Sequence, residues 1–279
     1  MTDDTMPVRG RNDLPIGAGR DPAHLADAIR LRALRMIAPQ GFGYLGQALS
    51  SAELVAGLYV SAYRPDIDDV VCSPGHYIVA FYAAEAEVGR LDPELLRTYG
   101  QNDSDLEAIG TERSPGVDLT GGSLGMGLSG AIGLALANRL KGAPGFTFAF
   151  LSDGELQEGQ VWEAAMFAAH NKLNRLVVLL DANNSQVDGP VDTITTLDPI
   201  ADKWRAFGWA AHDIDGHDGT AVDAALRASL ESDRPTIIIG RTSTRTGLAC
   251  LPDDADGHFI KLPPELAQAA AEELESRLA

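Results

Sequence analysis

The chain has 279 residues, 45% hydrophobic and 22% charged, the composition of an ordinary globular protein. Its 40 acidic side chains against 22 basic ones give a net charge of −18, which argues against nucleic acid or an anionic membrane surface as a partner. The two cysteines, Cys72 and Cys250, lie too far apart for a metal knuckle and imply no disulfide framework, so the expected location is a reducing cytoplasm.

Residues 1 to about 20 are rich in Gly, Pro, Arg and Asp and are expected to be flexible; without an apolar core they read as neither signal peptide nor anchor. Asp21-Pro22 is a cap followed by a proline and predicts a helix to about residue 38. Residues 40–48 read as a glycine-rich loop, and Ser50-x-x-Glu53 as a capping box opening a helix over 54–63. A short strand is predicted over 69–72, a turn over 73–76 and a helix over 77–88. A short helix over 93–99 precedes a polar loop, 100–123, of a length usually tied to function. Small residues predict a closely packing helix over 124–140. Further along come a helix near 200–207, a strand near 209–214, a helix over 220–230, a buried strand over 236–240, a loop over 242–258 and a terminal helix over 264–278. No apolar run of 18 residues occurs, so no membrane span is expected. Alternating strands and helices with no break in composition predict one α/β domain over 21–279, a doubly wound, mostly parallel sheet with helices on both faces.

The stretch around which this order is built runs from Phe146 to Gly189. Residues 146–151 form an apolar run that reads as a buried strand, followed at once by Ser152-Asp153-Gly154-Glu155. Val161, Ala164, Ala165, Ala168 and Ala169 then recur at helical spacing. Residues 175–180 are a second buried strand, ending in Asp181-Ala182-Asn183-Asn184. Strand, helix, strand in this order is a right-handed crossover between parallel strands. It puts Asp153 and Asn183 just past the carboxyl ends of neighbouring strands, about 5–10 Å apart, on the edge where open α/β sheets bind ligands. One carboxylate and one amide oxygen on irregular backbone suit an octahedral Mg²⁺ that takes its other ligands from phosphates and water. The helix starting near 157–160 is expected to aim free N–H groups at the same place. Either signal alone is an ordinary turn; the pair at this spacing is the specific feature.

Gly125 to Gly130 satisfies G-x-G-x-x-G at the start of a helix, which raises a dinucleotide-binding alternative. That fingerprint needs a strand immediately before it, and residues 115–120 read as too polar and short for one.

Ser152-Asp153-Gly154, Glu158-Gly159 and Asn183-Asn184, thirty residues after Asp153 and closing in Val187-Asp188-Gly189, resemble the thiamine diphosphate motif of the transketolase family. Ser152 stands where that motif usually has glycine. The resemblance covers about residues 22–262 and implies a thiamine diphosphate-binding fold, with Asp153, Asn183 and the Ser185 carbonyl as Mg²⁺ ligands. It places His76, in Cys-Ser-Pro-Gly-His, and Asn183 and Gly154 against the cofactor. Thr120-Gly121-Gly122-Ser123-Leu124-Gly125 is similar to the family's glycine loop, so Gly122, Ser123 and Leu124 would also line the cofactor; Met126 replaces a usual glutamine. His258 aligns with a histidine near the reacting carbonyl, and Glu158 with a glutamate at the subunit contact beneath the cofactor. Asp215-Gly216-His217-Asp218 matches a family segment, and reads equally well as a turn with a cap at Asp218.

Two departures bear on the substrate. Tyr44, in Gly43-Tyr44-Leu45-Gly46, stands in place of a substrate-facing histidine, and residues 106–116 lack the family's Gly-His-Pro. Losing two groups that bind hydroxyls costs several kcal/mol of discrimination, so the polyol-reading groups are missing while the cofactor groups remain. The glutamate that activates the cofactor belongs, in the family, to a separate pyrimidine-binding domain. The resemblance therefore implies the N-terminal subunit of a split enzyme moving a two-carbon ketol unit from a ketose to an aldehyde, with a C-terminal partner subunit in an α₂β₂ assembly. Two alternatives stay open: a 2-oxo acid donor with decarboxylation, and a non-catalytic cofactor-binding scaffold.

Overall fold

In the computed structural model, residues 14–279 are described. In chain order the elements are α1 (Pro22–Ile37), β1 (Phe42–Gly43), α2 (Leu45–Ser61), β2 (Asp69–Pro74), α3 (Ile78–Glu87), β3 (Leu119–Gly121), α4 (Met126–Lys141), β4 (Thr147–Ser152), α5 (Gly159–His170), β5 (Leu176–Ala182), α6 (Val191–Ile194), α7 (Ile200–Phe207), β6 (Ala210–Asp215), α8 (Gly219–Leu230), β7 (Thr236–Arg241), β8 (Ile260–Lys261) and α9 (Pro264–Leu278). Six strands form one sheet in the order β3-β2-β4-β5-β7-β6, every pair parallel. β1 and β8 form a separate antiparallel pair.

The central strands are apolar on both faces because helices cover both. Phe148, Phe150, Val177, Leu179 and Ile238 point into a core shared with α1, α2, α3, α8 and α9. Their neighbours Ala149, Leu151, Val178, Leu180, Ile237 and Ile239 point to the other face, under α4, α5 and α7. The chain leaves β2 for the edge strand β3, returns across β2 to β4, then continues to β5. That reversal puts the topological switch point at β2 and β4, where ligands of such sheets bind.

The expected architecture stands, with local corrections. α2 begins at Leu45, inside the segment read as a loop, so Ser50 and Glu53 lie within the helix and cap nothing. Their polar groups are used in tertiary contacts: the Ser50 hydroxyl donates to Asp181 at 2.5 Å, and Glu53 pairs with Arg30 at 2.6 Å. The stretch read as a loop over 100–123 contains β3, whose three residues pair with β2. The expectation of flexibility at 1 to about 20 lies mostly outside the described residues; Ile16 and Gly17 donate backbone hydrogen bonds to Tyr63 and Tyr59 at 2.9 Å each. Among the described residues no helix is long and apolar enough to cross a membrane.

Candidate active site

β4 and β5 run in register with Ser152 opposite Asp181, so Asp153 and Asn183 are the first residues beyond adjacent strands. Asp153 is 3% exposed. Its carboxylate bridges the two loops, accepting from Gly154 N at 2.8 Å and from Asn184 N at 2.6 Å. Burial first, and the charge of Asp181 second, push its pKa up to about 7. Asn184 takes a left-handed φ of 57°, which asparagine tolerates, and turns the chain there.

The orientation of Asn183 follows from donor and acceptor types. Its Nδ2 donates to Asp181 Oδ2 at 2.7 Å, to Tyr77 OH at 2.9 Å and to Ser50 Oγ at 3.2 Å. A carboxylate only accepts, so the amide nitrogen must face Asp181 and the oxygen must face away. Oδ1 accepts from Ser185 N at 2.9 Å and keeps a second lone pair. Asp181 is wholly buried and also accepts from the hydroxyls of Ser50, Tyr77 and Thr242; burial raises its pKa. The oxygens able to hold a cation are thus those of Asp153, Asn183 Oδ1 and the Ser185 carbonyl, which no protein donor reaches among the described residues. Among the described residues no three His, Cys, Asp or Glu side chains cluster to hold a metal, so an octahedral ion on these three oxygens would take its remaining ligands from phosphates and water.

The glycine-rich segment between β3 and α4 is held by backbone geometry and by one buried acid. Gly125 sits at φ 86° as the cap of α4, and a Cβ on Gly121 would come within 2.7 Å of the Ser73 carbonyl. Gly122, Ser123 and Leu124 lie on the surface between β3 and α4, and a Cβ on Gly122 would meet nothing. The wholly buried Glu155 ties the loop down: one carboxylate oxygen accepts from the Ser73 hydroxyl and from Gly125 N at 2.7 Å. Its other oxygen is buried without a partner, and burial pushes its pKa up to about 7.

Tyr44, His76 and His258, which come from three separate segments, form an aromatic rim. Ring centroids lie 5.1 Å apart for Tyr44 and His76, 5.1 Å for His76 and His258, and 5.7 Å for Tyr44 and His258. Burial, then the nearby His258, pushes His76 down to about 3, and burial lowers His258, so both rings are neutral at pH 7.

Other predicted positions behave differently. Glu158 is exposed at the start of α5 and packed against Gly125. α5 itself begins at Gly159, set back from Asp153 by a 3₁₀ turn over Gly154–Gln157. The N–H groups that reach Asp153 are those of Gly154 and Asn184, and α5 starts within the expected 157–160. In Asp215 to Asp218 the turn reading holds: Asp218 caps α8 through Thr220 N at 2.9 Å, and His217 binds Glu53, Ser243 N and Thr246. β3 supplies the strand whose absence counted against a dinucleotide fingerprint, so that ground falls away. Asp181, Ser50, Tyr77, Gln47 and Glu155 were not foreseen; apart from the position of Asp181 two residues before Asn183, nothing in their local sequence marks them.

Fold and site together define an α/β protein with buried polar side chains gathered at the carboxyl ends of a parallel sheet, the edge where such sheets bind ligands. A family described as "Transketolase, thiamine diphosphate binding domain" matches residues 22–262. The transketolase family protein y4mO of Sinorhizobium fredii is 41% identical over 251 residues, covering 86% of this chain and 90% of its own. The 6-deoxy-6-sulfo-D-fructose transketolase subunit SqwG of Clostridium sp. strain MSTE9 is 37% identical over 265 residues, covering 91% and 96%. The crystal structure of the Campylobacter jejuni transketolase superposes with a TM-score of 0.82 at 24% identity, a likeness of fold, over 91% of this chain and 42% of that one. The chain belongs to the transketolase family, as its thiamine diphosphate-binding domain.

Proposed function

We propose that this chain is the N-terminal subunit of a two-chain transketolase-like enzyme that moves a two-carbon ketol unit from a donor to an aldehyde, using thiamine diphosphate and Mg²⁺. The observation that carries the reading is the pairing of a buried Asp153 carboxylate with an Asn183 oxygen at adjacent strand ends. An isolated buried carboxylate with a pKa near 7 is costly, and a divalent cation beside it offsets that cost. Asp153, Asn183 Oδ1 and the Ser185 carbonyl would hold the ion; Gly122, Ser123, Leu124, Gly154 and His76 would surround the cofactor. When bound, thiamine diphosphate supplies a nucleophilic carbon and an electron sink for breaking a bond beside a carbonyl.

The protein's own part is to orient and exclude. Asp181 holds Asn183 with its oxygen outward, and Glu155 pins the glycine loop. The neutral His76 and His258 offer hydrogen bonds without adding charge, and Tyr44 walls the opposite side. A relative of matching length named as a subunit supports a separate partner. We place that partner, a pyrimidine-binding subunit in an α₂β₂ assembly, against α4 and α5, where Met126, Met166 and Phe167 are each about half exposed. One domain over 21–279 and a cytoplasmic location complete the reading.

The test is reconstitution. With a pyrimidine-binding subunit, cofactor, Mg²⁺ and an acceptor aldehyde, the pair should shorten a ketose to an aldose two carbons smaller while lengthening the aldehyde by two, and this chain alone should be inert; turnover by the chain alone refutes the split reading. Tyr44 in the rim favours a second reading, a 2-oxo acid donor, which carbon dioxide release would reveal. The intact set of metal-binding oxygens speaks against a non-catalytic scaffold.

A further inference from the structure

Gln47 lies in the first turn of α2 and is 1% exposed. Its Nε2 donates to two atoms of one distant residue, the His258 carbonyl oxygen and His258 Nδ1, each at 3.1 Å. A carbonyl oxygen only accepts, so the NH₂ end of the amide must face His258; turning the amide over would set its oxygen against another oxygen. The two N–H groups of Nε2 then serve the carbonyl and Nδ1, which obliges Nδ1 to accept. A neutral imidazole whose Nδ1 accepts carries its proton on Nε2.

In this orientation Gln47 Oε1 is buried without a partner, so the contact with the His258 carbonyl is what sets the amide. Burial favours the neutral ring, opposed by the charge of Asp256, and the other titratable groups at the ring are His76 and Tyr44. Asp256 caps the His258 backbone N–H at 2.8 Å. A Cβ on Gly46 would overlap the Gly257 carbonyl, so the start of α2 touches the loop that carries the histidine. His258 Nε2 bonds to no protein atom among the described residues and belongs to the rim with His76 and Tyr44.

We infer that Gln47 is a positioning residue that locks His258 as an Nε2–H donor, aimed at an acceptor oxygen of the bound ligand. His258 then hydrogen-bonds a carbonyl, hydroxyl or phosphate oxygen and does not take a proton at that atom. The inference rests on reading the rim as the ligand side; the lock itself does not depend on that reading.

Long-range ¹H–¹⁵N spectra of the labelled chain near neutral pH read the tautomer directly. His258, one of six histidines, is assigned by its disappearance in His258→Asn. The expected signature is a protonated Nε2 and a bare Nδ1. Gln47→Leu should move both resonances toward the average of the two tautomers, and Gln47→Glu should draw the proton to Nδ1. A protonated Nδ1 in the unaltered chain overturns the inference, and so does a Gln47→Leu spectrum identical to it. If the variants fail to fold, the unaltered chain decides alone. Adding thiamine diphosphate with Mg²⁺, then a ketose, should shift the Nε2 proton at the first step if the acceptor is on the cofactor and at the second if it is on the donor. No shift in the assembled enzyme refutes the ligand contact while leaving the tautomer result standing.

Discussion

Replacing Asp181 separates the orientation of Asn183 from the charge behind it. Asp181 is wholly buried and accepts from Ser50 at 2.5 Å, Asn183 at 2.7 Å and Tyr77 at 2.9 Å on one oxygen, and from the Thr242 hydroxyl on the other. In Asp181→Asn the amide oxygen can keep the first three donors, and its NH₂ can face Thr242, whose hydroxyl turns to accept. In Asp181→Ala all four lose this acceptor, although Ser50 can still reach the Gln47 carbonyl at 3.2 Å and Asn183 the Tyr77 and Ser50 hydroxyl oxygens. Hydrogen bonds to a charged group are worth about 1.5–3 kcal/mol each, and the recovered desolvation of the carboxylate offsets part of the loss. A net loss of about 2–4 kcal/mol is expected for Ala and less than about 1.5 kcal/mol for Asn. Asn183 can turn over only in the Ala variant, so Mg²⁺-dependent cofactor affinity should fall about 10–100-fold there, the usual effect of removing a partner that orients a metal ligand. Urea unfolding and calorimetric titration of thiamine diphosphate with Mg²⁺ measure the two effects. Unchanged affinity in Asp181→Ala refutes the reasoning; equal losses in both variants would show that charge, not orientation, is what Asp181 provides.

The remaining predictions concern protons, charge and space. Asp153 is pushed up to about 7, so below that pH a cation must displace a proton; apparent Mg²⁺ affinity should drop by up to about tenfold per pH unit on the acid side and level off above it. A flat profile across that range excludes Asp153 as a ligand. Arg30, 1% exposed, meets both Glu53 oxygens at 2.6 Å, so Arg30→Met should cost about 2–4 kcal/mol in urea unfolding by leaving that carboxylate only His217, at 3.0 Å. A loss below about 1 kcal/mol would class the pair with surface ion pairs. Gly46→Ala forces its Cβ into the Gly257 carbonyl, at a cost of about 1–3 kcal/mol. It should also displace the His258 ring, and an unaltered thermal midpoint with unaltered His258 resonances contradicts the contact.

What could be read from the chain is what local chemistry encodes. Asp153 and Asn183 each end an apolar run, and the run lengths place both at the same edge of the sheet. The terminal helix emerges at Pro264–Leu278 as expected, since Pro264 opens it and apolar residues recur along one face. Ser50-x-x-Glu53 misled because a capping box and two polar side chains inside a helix have the same local pattern; only Asp181, 131 positions from Ser50, and Arg30 distinguish them. β3 was missed because its register is dictated by β2, with Leu119 opposite Val71, and three residues carry no periodicity of their own. Likewise β1 and β8 are two residues each, and Phe42 meets Lys261 across nearly the whole chain.

That last pairing bears on how the site divides. The side proposed to hold the metal rests on strand ends and backbone: Asp153 is held by two main-chain N–H groups, and Asn183 by a carboxylate inside β5. Its geometry follows from the sheet, and the family motif survives there almost unchanged. The opposite side rests on side chains from the start of α2 and the loop after β7, brought together where β1 joins β8 and Tyr44 packs on Phe259 at 5.2 Å. Tyr44 and Gln47 sit within one turn of each other, and each touches His258. A change at either position retunes the histidine and the wall beside it without reaching the strands that place Asp153. Of the departures from the family pattern, Tyr44 stands on this wall, which can change without disturbing the strand ends, and a shift in substrate would be recorded there first.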